Sequence, residues 1–156
     1  MLLAACTGDG AAPSTTTATT ATTTPTTTTT LPERFGEFAV TTIEVSGETW
    51  AVAIADTPEL RQQGLMGVTD LGGLDGMLFV FEGDTSTPFW MKNTLLPLDI
   101  AFFTVDGILV DLLRMEPCTA DPCPLYQPRG EYRYAIETEV GRWDAIDQPG
   151  LVVTGA

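Results

Sequence analysis

Apolar and polar positions alternate with a period of two along most of the chain after residue 38. Trp50, Val52 and Ile54 are separated by the small residues Ala51, Ala53 and Ala55. This spacing predicts a strand with its large side chains on one face. Ser46-Gly47 precedes it and supplies a turn, so residues 38–45 form the other arm of a hairpin. Thr57-Pro58-Glu59 reads as a helix start: an N-cap, a proline in the first turn and an acid near the positive dipole end. Gly64 stops that helix early, and Gly72-Gly73 and Asp75-Gly76 break the chain again. Met77-Leu78-Phe79-Val80-Phe81 is apolar throughout and predicts a short strand buried on both faces. Residues 87–93 form a further strand. Residues 98–105 and 108–115 flank Asp106-Gly107, a strong two-residue hairpin signal. Tyr132, Tyr134 and Ile136 alternate once more, residues 139–146 read as a second short helix, and Leu151–Val153 as a last strand. Seven or eight short strands with one or two short helices predict a mainly β (β-rich α+β) fold. The expected form is a twisted sheet closed or nearly closed into a small β-barrel.

The N-terminal part lacks this patterning. From Ala11 to Thr30 the chain is almost entirely Thr, Ala, Pro and Ser. Such a segment has nothing to bury and reads as a disordered tether over residues 7–34, open to O-glycosylation. As a flexible coil it spans roughly 25 Å. Ahead of it, Leu3-Ala4-Ala5-Cys6 resembles a bacterial lipobox, so residues 1–6 read as a partial lipoprotein signal with Cys6 as the lipidated residue. A lipidated cysteine, a Thr/Pro tether and a single β-rich domain over residues 35–156 predict an extracytoplasmic protein anchored to the cell membrane. The lipid bilayer is its first partner, and no apolar run approaches the ~20 residues of a spanning helix.

Charge narrows the function. The 21 acids against 7 bases give a net charge of -14, which repels phosphate backbones and excludes nucleic acid as an expected partner. There is no histidine, which removes Ser-His-Asp and Cys-His catalysis and His-based zinc sites. Cys118 and Cys123 enclose a short loop between Pro117 and Pro124. With Cys6 assigned to lipid, they are expected to pair with each other, as thiols do outside the cytoplasm. So short a loop is worth only about 2 kcal/mol in the chain-entropy view. Two thiolates without histidine do not make a zinc site, so neither metal nor cofactor is expected.

The Phe89-Trp90-Met91-Lys92-Asn93-Thr94 stretch holds the only lysine of the chain. Strand alternation puts Trp90 and Lys92 on one face and Phe89 and Met91 on the other. If Phe89 and Met91 enter the core, Lys92 faces a cleft where it can bind a carboxylate or phosphate, and Trp90 can stack on a sugar or planar group. The competing reading pairs Lys92 with Asp99 in a structural ion pair. Asn93 suits either the site or a turn. Arg61 suits the C-terminal end of the short helix dipole and can equally reach an anion. Glu116 and Glu137 can add acceptors, though solvated strand-end charge is the better expectation for both. The ligand-binding candidates are thus Trp90, Lys92, Asn93, Asp99, Arg61 and Glu116.

The Phe-Trp-Met-Lys-Asn-Thr motif follows Arg61-Gln62-Gln63-Gly64-Leu65-Met66 and Gly76-Met77-Leu78-Phe79-Val80-Phe81. It precedes Met115-Glu116-Pro117-Cys118 and Tyr134-Ala135-Ile136-Glu137. In this order the motifs resemble the domain of unknown function 192 family of bacteria and archaea, over roughly residues 40–154. The resemblance implies a small, mainly β domain, often secreted or membrane-anchored, and implies no activity. Three functions follow as expectations. The first is a monomeric binding or accessory module for a small polar or glycan-like ligand or an envelope partner. The second is an envelope-associated hydrolase or transferase using Lys92 with a carboxylate, which requires burial to lower the lysine pKa. The third is a structural protein that packs on another envelope protein.

Overall fold

The computed structural model describes residues 35–153; Cys6 and the tether lie outside them. Strands β1 (Val40–Val45) and β2 (Glu48–Ala55) form the predicted hairpin about Ser46-Gly47. Helix α1 (Pro58–Gln63) follows, with the Thr57 hydroxyl accepting from the Leu60 N–H at 3.2 Å and Gly64 as its C-cap. Strands β3 (Gly76–Thr85), β4 (Phe89–Trp90), β5 (Leu98–Phe103), β6 (Leu109–Met115), β7 (Leu125–Tyr126), β8 (Tyr132–Glu139) and β9 (Leu151–Val152) complete the fold. The main sheet has seven strands in the order β6-β5-β8-β3-β2-β1-β9, with β4 and β7 paired separately. Only β2 and β3 run parallel, and α1 lies on the crossover between them.

The sheet curls into a half-barrel whose ends meet. The β5–β6 turn reaches β9 through an Ile108–Gly150 bridge, and the Leu151 N–H donates to the Gly107 carbonyl at 3.0 Å. Gly107 permits this contact. Its φ is +76°, and a Cβ there would stand 1.8 Å from the Leu151 carbonyl oxygen.

Alternation along the central strands builds two apolar clusters. Ala53, Ala55, Met77, Phe79, Ile100, Phe102 and Ala135 enter one, beside Phe35 and Tyr132. Trp50, Val52, Leu78, Ala101, Phe103 and Ile136 enter the other, beside Trp143 and Leu151. All six residues of β5 are buried, as a strand covered on both faces requires.

Three expectations change. Residues 139–146 are not a helix. β8 runs to Glu139, and the chain then passes through successive turns, with Gly141 at φ +90° and its N–H held by the Asp99 carboxylate at 2.8 Å. The strand expected over 87–93 shortens to Phe89–Trp90, because Asn93 takes a left-handed φ of 56° and Thr94 N–H turns back to the Met91 carbonyl. Tyr132 also parts from Tyr134. The β3–β8 pairing jumps from Val80↔Tyr134 to Thr85↔Tyr132, and at this bulge Tyr132 enters the first cluster while Tyr134 packs on the second.

Candidate functional site

A groove runs between α1 with the turn after it and the Phe89–Thr94 segment. Its floor is the Phe79 ring, its outer mouth is framed by Pro58, Phe81 and Pro88, and Arg61, Phe89 and Trp90 line its whole length. The outer cleft measures about 290 Å³ and narrows inward to a cavity of about 30 Å³. The larger volume suits a small organic ligand, and the smaller one a single polar group or a water. At its inner end the groove meets Gln63, Thr94 and Glu137.

Glu137 stands in the middle of the sheet, opposite Met77 of β3 and Ile100 of β5. It is only 4% exposed, and burial raises its carboxyl to about 8, with no hydrogen bond or charge offsetting the loss of water. The carboxyl is therefore neutral at pH 7. Solvated strand-end charge was the better expectation for Glu137, and the structure overturns it, because β8 is central rather than marginal. Gly76 helps hold this position: a Cβ there would stand 2.2 Å from the Glu137 carbonyl oxygen, so glycine lets β3 close on β8.

Arg61 is fixed beside the groove. Its Nη1 donates to the Asp56 carbonyl at 2.6 Å and to the Val80 carbonyl at 2.7 Å, and its guanidinium lies 4.9 Å from the centre of the Phe81 ring. The dipole account of Arg61 is therefore insufficient, since the side chain reaches across to β3. Lys92, Arg114, Arg129, Arg133 and Arg142 each hold a carboxylate; Arg61 alone among the described cations does not. The aromatic floor is rigid: Phe89 meets Phe79 edge-on at 5.0 Å and Phe102 at 5.6 Å. Behind it the Tyr132 hydroxyl donates to the Thr87 carbonyl at 2.7 Å, and burial pushes its ionisation upward.

The remaining predicted residues fall into place around this groove or away from it. Phe89 and Met91 face the core, whereas Trp90 is 43% exposed and Lys92 is half-buried. The Lys92 ammonium sits 5.9 Å from the Trp90 ring and pairs with Asp121 at 2.5 Å. It does not pair with Asp99. Asp99 accepts two hydrogen bonds from Arg114, at 2.9 and 3.2 Å, and one from the Gly141 N–H, beside Thr138 at the other side of the sheet. Neighbours on one strand alternate in direction, so Asp99 cannot join the face that Ile100 shares with Glu137. Glu116 is exposed, and its N–H donates to the Tyr126 hydroxyl. Asn93 makes the turn, with its carbonyl accepting from Gly67 and its N–H donating to Cys118. The structure thus brings Arg61 and Trp90 together with Gln63, Thr94 and Glu137, which are not among the six binding candidates, and leaves Lys92, Asn93, Asp99 and Glu116 outside the groove lining.

The Cys118–Cys123 disulfide forms as expected. Its loop carries Asp121 to Lys92, and Cys118 bridges both Lys92 and Thr94. No group of acids and cysteines among the described residues is arranged to hold a metal ion. No helix among them is long and apolar enough to cross a membrane.

Residues 39–154, more than half of the chain, match the domain of unknown function 192, described as an uncharacterised ACR. Two solved structures are similar. One is a protein of Sinorhizobium meliloti 1021 described as a "putative transcription regulator", 27% identical, covering 74% of this chain and 94% of its own, with a TM-score of 0.64. The other is a protein of unknown function from Novosphingobium aromaticivorans DSM 12444. It is 24% identical, covers 76% of this chain and 85% of its own, and has a TM-score of 0.62. No curated protein matches the chain.

Proposed function

The chain belongs to the domain of unknown function 192 family, and from its groove we propose a lipid-anchored extracytoplasmic module that binds a small polar ligand. One observation carries this reading: a nearly buried carboxyl that burial alone keeps neutral ends a groove lined by Trp90 and by an arginine that holds no carboxylate. A carboxyl that burial keeps from ionising, at the inner end of a groove, costs stability and points to a use in that groove. The Leu3-Ala4-Ala5-Cys6 sequence, the Thr-rich tether and the Cys118–Cys123 disulfide support an address outside the cytoplasm. A net charge of -14 argues against extending the regulator description of the Sinorhizobium protein to a DNA-binding role here.

An enzyme built on Lys92 has less support. Its ammonium is engaged by Asp121, and Asp99 is engaged by Arg114. Two measurements test the binding reading. Full-length protein from its host should partition with membranes, and Cys6→Ser should release it. Protein purified from that host should also carry a small molecule recoverable on denaturation, which Trp90→Ala depletes. Protein that stays soluble with Cys6 intact would refute the anchor; recovery that ignores Trp90 would refute the site.

A further inference from the structure

We infer that the groove selects a small organic oxyanion, a carboxylate or phosphate monoester, with its head between Arg61 and Glu137 and its ring or chain along Phe89 and Trp90. This rests on the groove being a binding site and adds the chemistry of what binds.

The charge inventory carries the inference. In a chain with 21 acids, the other described cations hold carboxylates of the protein itself, and Arg61 does not. Its Nη1 is committed to two backbone carbonyls, which aim the guanidinium without neutralising it. The missing counter-charge would come from the ligand. Arginine is suited to this because its planar donors match carboxylate and phosphate oxygens.

Glu137 supplies the second half. No charge or hydrogen bond of the protein acts on its carboxyl, and the one cation lining the same cavity is Arg61 on the α1 side. β3 presents Met77 and Phe79, β5 presents Ile100, and the site segment presents Phe89, Trp90 and Thr94. Burial keeps Glu137 protonated at neutral pH, so its O–H is a donor that an anion's second oxygen can accept. A simple cation fits poorly, because it would have to ionise Glu137 beside the fixed positive charge of Arg61. The aromatic outer cleft then takes the uncharged remainder of the ligand.

The test uses the full chain and three probes of one shape: phenylacetate, phenyl phosphate and benzylamine. Binding is read from the indole N–H signal of Trp90 by NMR, with buried Trp50 and Trp143 as internal references. Phenylacetate and phenyl phosphate should shift Trp90 with a Kd of about 1 mM, and benzylamine should not. The better anion distinguishes carboxylate from phosphate as the natural head. Arg61→Met should weaken anion binding at least tenfold, whereas Glu137→Gln, which keeps a donor, should retain it. Affinity for the wild type should fall by up to about tenfold per pH unit above pH 8 as Glu137 ionises, and that fall should vanish in Glu137→Gln. Benzylamine binding that Glu137→Gln abolishes would overturn the oxyanion inference while leaving the groove a binding site. If no probe of either charge shifts Trp90, both readings fail.

Discussion

Glu137→Gln should stabilise this protein, by an amount set by pH. The wild-type carboxyl is raised from 4.5 to about 8 by burial alone. In the unfolded chain it ionises near its ordinary value. Between these limits the unfolded state releases a proton that the native state keeps, so stability falls as pH rises, by about 1.4 kcal/mol per pH unit. The loss begins near pH 4.5, continues to about pH 8 and then levels off, at a total of about 5 kcal/mol. Glutamine has nearly the same shape as the neutral acid and does not titrate. The difference between the two proteins should therefore be about 1 kcal/mol at pH 5, about 3 at pH 7 and about 5 at pH 9. Every other carboxylate is common to both chains and cancels. Urea unfolding at those three pH values measures it directly. With an m-value of about 2 kcal/mol per molar, the midpoint should move up by roughly 1.5 M at pH 7. A difference that does not grow with pH, or a variant less stable than wild type at pH 9, would refute the buried, unpaired state assigned to Glu137. The same result would bear on function, since a residue whose replacement stabilises the fold is not retained for stability.

Lys92→Met should cost less than about 1 kcal/mol, because its partner Asp121 is exposed. Asp99→Ala should cost about 3 kcal/mol, since it removes a buried acceptor from Arg114 and from the Gly141 N–H; paired urea curves compare the two, and equal losses would contradict the separation of these residues. Reducing Cys118–Cys123 should raise hydrogen exchange in residues 116–126 and at Lys92–Thr94, which Cys118 bridges, while the strands of the main sheet stay protected. Gly107→Ala should lower stability by more than about 2 kcal/mol, because both its φ and the Leu151 carbonyl oppose a side chain; thermal unfolding reads this, and an unchanged melting temperature would mean that the barrel ends need not meet there.

Some of this protein was legible in the sequence because local chemistry decides it. The Ser46-Gly47 and Asp106-Gly107 turns, the Thr57-Pro58 helix start and the burial of Met77–Phe79 on both faces of β3 follow from φ preferences, capping and an unbroken apolar run. Period-two alternation placed Phe89 and Met91 inward and left Trp90 and Lys92 outside. The disulfide followed from cysteine number and the expected address. The long Phe89–Thr94 motif, with its neighbours, was specific enough to mark the family.

The partners of each charge were decided only by the tertiary structure. Lys92 and Asp99 are seven positions apart and oppositely charged, yet Asp121 and Arg114 claim them, because strand direction and a loop closed by a disulfide outweigh nearness in sequence. Glu137 read in the sequence as a candidate acceptor, with solvated strand-end charge the better expectation. It became a neutral, buried group because β8 inserts between β3 and β5, an order no local pattern encodes. Its one available signal was its place two residues after Ala135 on an apolar strand face. Arg61 became the cation without a counter-ion only when every other described cation had found its carboxylate across the fold. Side-chain direction is set within a few residues, and so it can be read from the chain. Desolvation and charge pairing depend on which distant strands become neighbours, and that is settled by packing.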